Sequence, residues 1–318
     1  MHPILKFVAQ RILLGLVLLL AASVMIFAGT QILPGDVAQS ILGQSATPQA
    51  LANLRAELGL NEPVVSRYFA WLFGALQGDL GTALTNGQDI AEAMGRRLGN
   101  TLFLAGWAAL ISVPLAITLG LIAVRYAGKW PDKLISAVTL TTVSIPEFLL
   151  GYIVMFYLAV QFRLFPSVST VYDGMPLLDK LNAIALPVMV LVMVVLGHMM
   201  RMTRAAILNV MQSAYIETAE LKGLRPFTII RKHAFPNAIA PVVNVVMLNM
   251  AYLVVGVVVV EVVFVYPGMG QYLVDHVAKR DVPVVQACGL VFAAVYIGLN
   301  MLADVIAILA NPRLRHPR

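Results

Sequence analysis

The sequence has 318 residues and a single cysteine, Cys288, and only 12% of its residues are charged. One cysteine excludes an intrachain disulfide framework and any metal site built on cysteine pairs. Soluble domains carry roughly a quarter charged residues, so half that level excludes an ordinary soluble enzyme and a disordered chain. A G-x-x-x-x-G-K-[S/T] phosphate loop is missing: Gly128-Lys129 runs into Trp130 and lacks the upstream glycine. H-E-x-x-H and G-x-S-x-G are missing too, which removes two common hydrolytic chemistries. Five scattered histidines make no metal-ligand pattern. No catalytic residue, resident metal or bound cofactor is expected in this chain.

What the sequence has in excess is apolar surface, with 60% hydrophobic residues and a mean hydropathy of +0.85. Charge-free runs mark six candidate spans, at about 12–33, 101–124, 134–160, 182–203, 238–263 and 285–309. Each is long enough to cross a hydrocarbon core about 30 Å thick. Backbone in lipid must satisfy its own hydrogen bonds, and these runs lack the alternation of barrel strands, so helices are expected. The first run exceeds a signal-peptide core and is read as an uncleaved helix.

Lys and Arg placement sets the orientation. With the N-terminus in the cytoplasm, inner segments hold 14 basic residues and outer segments 8. Both termini are then cytoplasmic. The net charge of +6 reports membrane topology, not nucleic-acid binding.

Two connections are long. The outer one, from Asp36 to Arg97, predicts a helix capped at Thr47-Pro48 with Leu51, Leu54 and Leu58 on one face, ending at Gly59. After the Asn61-Glu62-Pro63 turn a second helix is expected, with Tyr68, Trp71, Leu72 and Ala75 at helical spacing and an aromatic stripe suited to the membrane interface. A cap packed over the bundle is favoured over a docking surface. The inner connection predicts two short helices, Ala214 to Leu221 and Phe227 to Ala234, broken by Gly223 and Pro226. It concentrates Arg204, Lys222, Arg225, Arg231 and Lys232 against Glu217 and Glu220. Ala219 is small enough for another surface to approach closely.

Glu217-Thr218-Ala219, three residues, Gly223, nine residues, then His233-Ala234-Phe235-Pro236 resembles the EAA loop of ABC importer permeases. Thr218 replaces the first Ala of that pattern, and His233 stands where many relatives have Ile. Further segments are similar to the dipeptide/oligopeptide/nickel group: Leu33-Pro34-Gly35-Asp36, Leu54-Arg55-Ala56-Glu57-Leu58-Gly59-Leu60, Gly78-Asp79-Leu80-Gly81, Ser144-Ile145-Pro146, Glu261-Val262-Val263-Phe264 with Pro267-Gly268-Met269-Gly270, and Asn311-Pro312-Arg313-Leu314-Arg315. Their order and spacing carry more weight than any one of them.

The resemblance implies an all-α polytopic permease in a bacterial or archaeal inner membrane. Residues 1–100 would hold the first span and an extracytoplasmic helical segment. Residues 101–318 would form the five-helix core, with a coupling loop at 205–237. It implies a sister permease subunit, two ATPase subunits that bind ATP and Mg, and an extracytoplasmic binding protein. Glu217, Thr218, Ala219, Gly223, His233 and Pro236 would couple to the ATPase, and Pro267, Gly268 and Gly270 would form an outer gate loop.

Ionisable groups inside spans are costly and are functional candidates by default. Glu147 follows Pro146, which is expected to kink the third helix. Glu261 is expected to pair with an outer Arg, and Asp304 with Arg201 or Arg204. Ser144, Asn244 and Asn249 complete the pathway candidates, although amides in lipid usually bond between helices. His198 reads as interfacial, and Met189, Met193, Met199, Met200 and Met202 as packing. An alternative is a proton-coupled transporter that uses Glu147, Glu261 and Asp304 as a relay.

Overall fold

The computed structural model describes residues 3–32, 37–42, 46–57 and 59–310. Leu33 to Asp36, Leu58 and Asn311 to Arg315 lie outside them. Among the described residues the chain is helical, with one isolated bridge between Thr82 and Asp89 and no sheet.

Helix α1, Pro3–Ile32, runs antiparallel to α14, Val282–Ala310. Arg11 pairs with Asp304, Gly15 packs on Met301, Gly289 lies against Ile26, and Gln286 donates to Thr30. Each step forward on α1 is matched by a step back on α14. These contacts define two ends of the bundle, an Arg11 end and a Gln31 end.

Helix α2 is Val37–Leu42, α3 is Pro48–Glu57 and α4 is Val64–Leu76. The Ala50 N–H donates to Thr47 Oγ1 over 3.2 Å, the cap that the Thr47-Pro48 pair predicts. Tyr68, Trp71, Leu72 and Ala75 form the half-buried side of α4, as their spacing predicts.

Helix α5, Ile90–Arg125, starts eleven residues before the expected span. Asp89 caps it by accepting from Glu92 N at 2.9 Å. Apolar patterning marks only lipid-crossing residues, so it misses this extension beyond the membrane.

The third span is corrected. It is two helices, α6 at Trp130–Ser144 and α7 at Glu147–Met155, and α7 continues as a π-helical turn, Phe156–Gln161. The two halves are bent by 104°. Ile145 and Pro146 both take extended backbone (ψ 130 and 137). Proline disfavours α geometry in the residue before it, and here the helix stops and restarts instead of kinking.

Helix α8, Leu177–Ala183, leads into α9, Ala185–Met211, the centre of the molecule. Leu186, Leu191, Val195, Met199 and Met200 are fully buried there against α5, α6, α7 and α12, the last spanning Phe235–Val263. Gly197 makes the α6 contact possible: a Cβ there would lie 2.7 Å from the Thr139 carbonyl oxygen. Met199 and Met200 are core, whereas Met202 is 55% exposed.

Candidate functional site

At the Arg11 end the chain leaves α9 and forms α10, Ala214–Leu221, with the predicted boundaries. Gly223 takes φ +75, and the Gly223 and Leu224 N–H groups donate to Glu220 and Ala219 carbonyls. This is a Schellman ending, which favours a residue free of the Cβ penalty at positive φ. The second predicted helix is corrected. Helix α11, Pro226–Ile229, passes through a π-helical turn, Ile230–Ala234, directly into α12. Pro236 therefore sits in a continuous rod. The wider π turn just ahead of it absorbs the missing proline N–H without a break.

Ile216 and Ala219 face inward and pack with Ile207, Ile229 and Ile230. Ala219 brings two parts of the same chain together, so the close approach expected of it is made internally. Glu217, Thr218, Glu220, Lys222, Arg225, Arg231 and Lys232 are exposed on the opposite side, with Leu221, Leu224 and Phe227 among them. His233 is half-buried, and its carbonyl accepts from Asn237. The result is a helix–turn–helix with an apolar root and a tip that mixes charge with exposed apolar side chains.

Behind this tip Arg204 makes two parallel bonds to Asp132, Nε to Oδ1 at 2.8 Å and Nη2 to Oδ2 at 2.7 Å. The Gly128 N–H also donates to Asp132. The pair joins α9 to α6. Asp304 is instead bonded to Arg11 at 2.9 Å, which corrects the expected Arg201 or Arg204 partner. The antiparallel α1–α14 register decides this, and sequence separation hides it.

At the Gln31 end Glu261 is fully buried near the end of α12. Its Oε1 accepts from Thr101 Oγ1 at 2.6 Å. Its Oε2 accepts from the Gly270 and Gln271 N–H groups at 2.7 and 3.2 Å. Those amides open α13, Met269–Ala278, so the carboxylate caps a helix N-terminus. The Met269 N–H closes the ring by donating to Thr101 Oγ1. Backbone amides and a hydroxyl hold the carboxylate directly, and the outer Arg97 acts on it only through space. Pro267, Gly268 and Gly270 wrap this carboxylate, and a Cβ on Gly270 would lie 2.6 Å from Val258 Cα.

Asn100 extends the same latch. Its side chain donates to the Pro267 carbonyl, and its own carbonyl accepts from Tyr266 Oη at 2.8 Å. Burial and the neighbouring Glu261 push the Tyr266 phenol up, so it remains a donor. Val265, between α12 and this loop, is held at φ +51, a strained conformation for a β-branched residue. Thr101 as the partner of Glu261, and Asn100 as the partner of Pro267, are invisible in the sequence because each pair is separated by 160 residues or more.

Glu147 sits at the first position of α7, half-buried, with Oε1 unpartnered. Tyr252 of α12 lies within its electrostatic reach. Ser144 and Asn244 are exposed. Asn244 shares a stripe with Pro241, Leu248 and Tyr252. Asn249 is half-buried and bonds the Val245 carbonyl of its own helix, not another helix. The three acids of the expected spans do not form one relay: Glu261 is tied to α13, Asp304 to Arg11, and Glu147 stands apart.

Two cavities with charged side chains in their walls flank the bundle. One of about 690 Å³ at the Gln31 end is lined by Glu92, Arg96, Arg97, Asp173 and Lys180 among others. One of about 480 Å³ on the α6–α9 side is lined by Ser136, His198 and Arg201 among others.

The described residues thus form a helical bundle with a protruding helix–turn–helix at the Arg11 end. Residues 112–316 match the family of binding-protein-dependent transport system inner membrane components, and residues 4–105 match its N-terminal component. The chain belongs to that family. It is 34% identical over 317 residues to a protein assigned as a peptide transport system permease in Brucella abortus (strain 2308), covering 98% of both chains. It is also 34% identical to the glutathione transport system permease protein GsiC of Escherichia coli O6:H1, covering 98% of this chain and 99% of that one. A chain of the MetNI methionine ABC transporter, solved in an inward-facing conformation, aligns at 18% identity and TM-score 0.48, covering 70% of this chain and 96% of that one.

The protein is accordingly a multi-pass inner-membrane permease subunit of an ABC importer. Helix α5 bridges the two matched regions.

Proposed function

We propose that this chain forms half of the pathway of an importer for peptides or peptide-like solutes. Two ATPase subunits that bind ATP and Mg supply the energy, and this chain contributes no catalytic residue of its own. A sister permease completes the pathway, and an extracytoplasmic binding protein delivers the solute. The relatives named for peptide and glutathione transport support that solute class. The basic excess near the Arg11 end supports cytoplasmic termini.

The observation that carries the reading is the helix–turn–helix from Ala214 to Ala234. Its root is packed into the bundle by Ile216 and Ala219, and its tip is free. A continuous helical rod runs from Pro226 through α12 to the Glu261 latch. Nucleotide-driven movement of the tip would thereby shift the bundle between inward- and outward-open populations. Glu147, Ser144 and Asn244 are the pathway candidates this geometry favours, on faces that another subunit would complete.

The test is uptake of a labelled dipeptide by the assembled complex in proteoliposomes with its binding protein. ATP-dependent uptake, competed by peptides and abolished by Gly223→Pro, is expected. Uptake that persists without ATP, or in Gly223→Pro at full rate, would refute the coupling assignment.

A further inference from the structure

We infer that α4 is a membrane-embedded helix, lying in the leaflet around the C-terminal half of α1 with its free face against lipid acyl chains. In the proposed orientation this is the outer leaflet.

Depth comes from the α1–α14 register. Arg11 bonds Asp304 at one end of α1, and Gln31 accepts from Arg67 at 2.6 Å at the other. The rise between residues 11 and 31 is about 30 Å, the thickness of a hydrocarbon core. Phe27 therefore lies about 6 Å and Ser23 about 12 Å inside the Gln31 boundary. Helix α4 packs at this depth. Tyr68 Oη is 2.9 Å from Ser23 Oγ, and the Phe27 ring meets Tyr68 at 5.4 Å and Trp71 at 5.8 Å between centroids. Interfacial helices bury their apolar face about 5–10 Å, which matches.

Composition agrees. No charged residue occurs between Arg67 and Asp79. The side of α4 turned away from α1 carries Val65, Phe69, Phe73 and Leu76 at i, i+4, i+8 and i+11, and these are 66%, 49%, 57% and 73% exposed. A water-facing helix would place polar residues there. Val24 and Met25 of α1, at the same depth, are also exposed. The α4 stripe thus continues a surface that α1 already presents to acyl chains. Arg67 marks where the helix meets the polar boundary.

Nitroxide labels would be placed singly at Phe69→Cys and Phe73→Cys, with Met25→Cys as the lipid reference and Asn61→Cys as the water reference. The assembled complex would be held in nanodiscs of phosphatidylethanolamine and phosphatidylglycerol, which expose both faces. Labels at 69 and 73 are expected to collide more with oxygen than with a water-soluble nickel chelate, as at 25, with the reverse at 61. A chelate preference at 69 and 73 would overturn the inference in favour of a water-facing surface. Loss of both collision rates would overturn it in favour of protein contact, with a second permease subunit or the binding protein. The readout does not depend on transport.

Discussion

Gly268 and Glu261 compete for one volume: a Cβ on Gly268 would overlap the buried Glu261 carboxylate. The glycine lets the loop close over an acid that caps the next helix. Gly268→Ala should therefore expel the carboxylate or splay α13 from α12. Glu261→Ala should be destabilising by about 1–3 kcal/mol for each buried N–H left unpaired. Glu261→Gln, which keeps an acceptor oxygen, should cost less. Thermal unfolding of the purified complex orders the three variants, and an Ala as mild as the Gln would show that the latch contributes little.

Val265 supplies the converse experiment. Its φ of +51 costs a β-branched residue about 1–2 kcal/mol, a cost glycine avoids. Val265→Gly should raise the unfolding midpoint, or at least leave it unchanged after glycine's added chain entropy. A clear drop would mean that its packing outweighs its strain.

Arg204 and Asp132 should behave as a unit. The Asp132 side chain is 6% exposed, and removing Arg204 leaves it without a counter-ion and with the Gly128 N–H still bonded, a loss of about 3 kcal/mol, the low end for a buried pair. Arg204→Lys should recover only part of this, since ammonium cannot reproduce the two parallel bonds. A double-mutant cycle on complex stability measures the coupling, and additive single losses would contradict it.

The coupling tip should separate binding from folding. Gly223→Pro forces φ to about −65 and removes the N–H that bonds Glu220. It should abolish co-purification of the ATPase while the permease bundle still inserts and unfolds normally. Glu217→Lys should weaken the association and leave the fold unchanged, because Glu217 is exposed.

Glu147 is the strongest test of the pathway assignment. Glu147→Gln should preserve ATPase coupling yet reduce uptake of a lysine-containing dipeptide relative to a neutral one, by about tenfold if one charge contact worth 1.4 kcal/mol is lost. Equal uptake of both would place the residue away from the solute.

Local chemistry made much of this protein legible. Helix α10 matches its predicted ends because Gly223 and Pro226 act within a few residues of it. The inward face of α4 follows from helical spacing alone. The partners of Glu261, Asp304 and Arg204 could not be read in the same way. Thr101, Arg11 and Asp132 meet them in antiparallel contacts across scores of residues, and a lone charge in an apolar run says that a partner is needed without saying which. The third span shows the same limit: Pro146 announces a disturbance, but the 104° bend depends on how both halves pack on α9.

The sequence by itself determined the membrane class, five of the six expected spans and the first helix and turn of the 214–234 segment, because hydrophobic length and backbone-restricting residues act locally. Tertiary structure decided which charges meet, that Ala219 faces inward, and that α4 lies alongside the C-terminal half of α1. Those outcomes depend on helix register and depth, which only the packed bundle fixes.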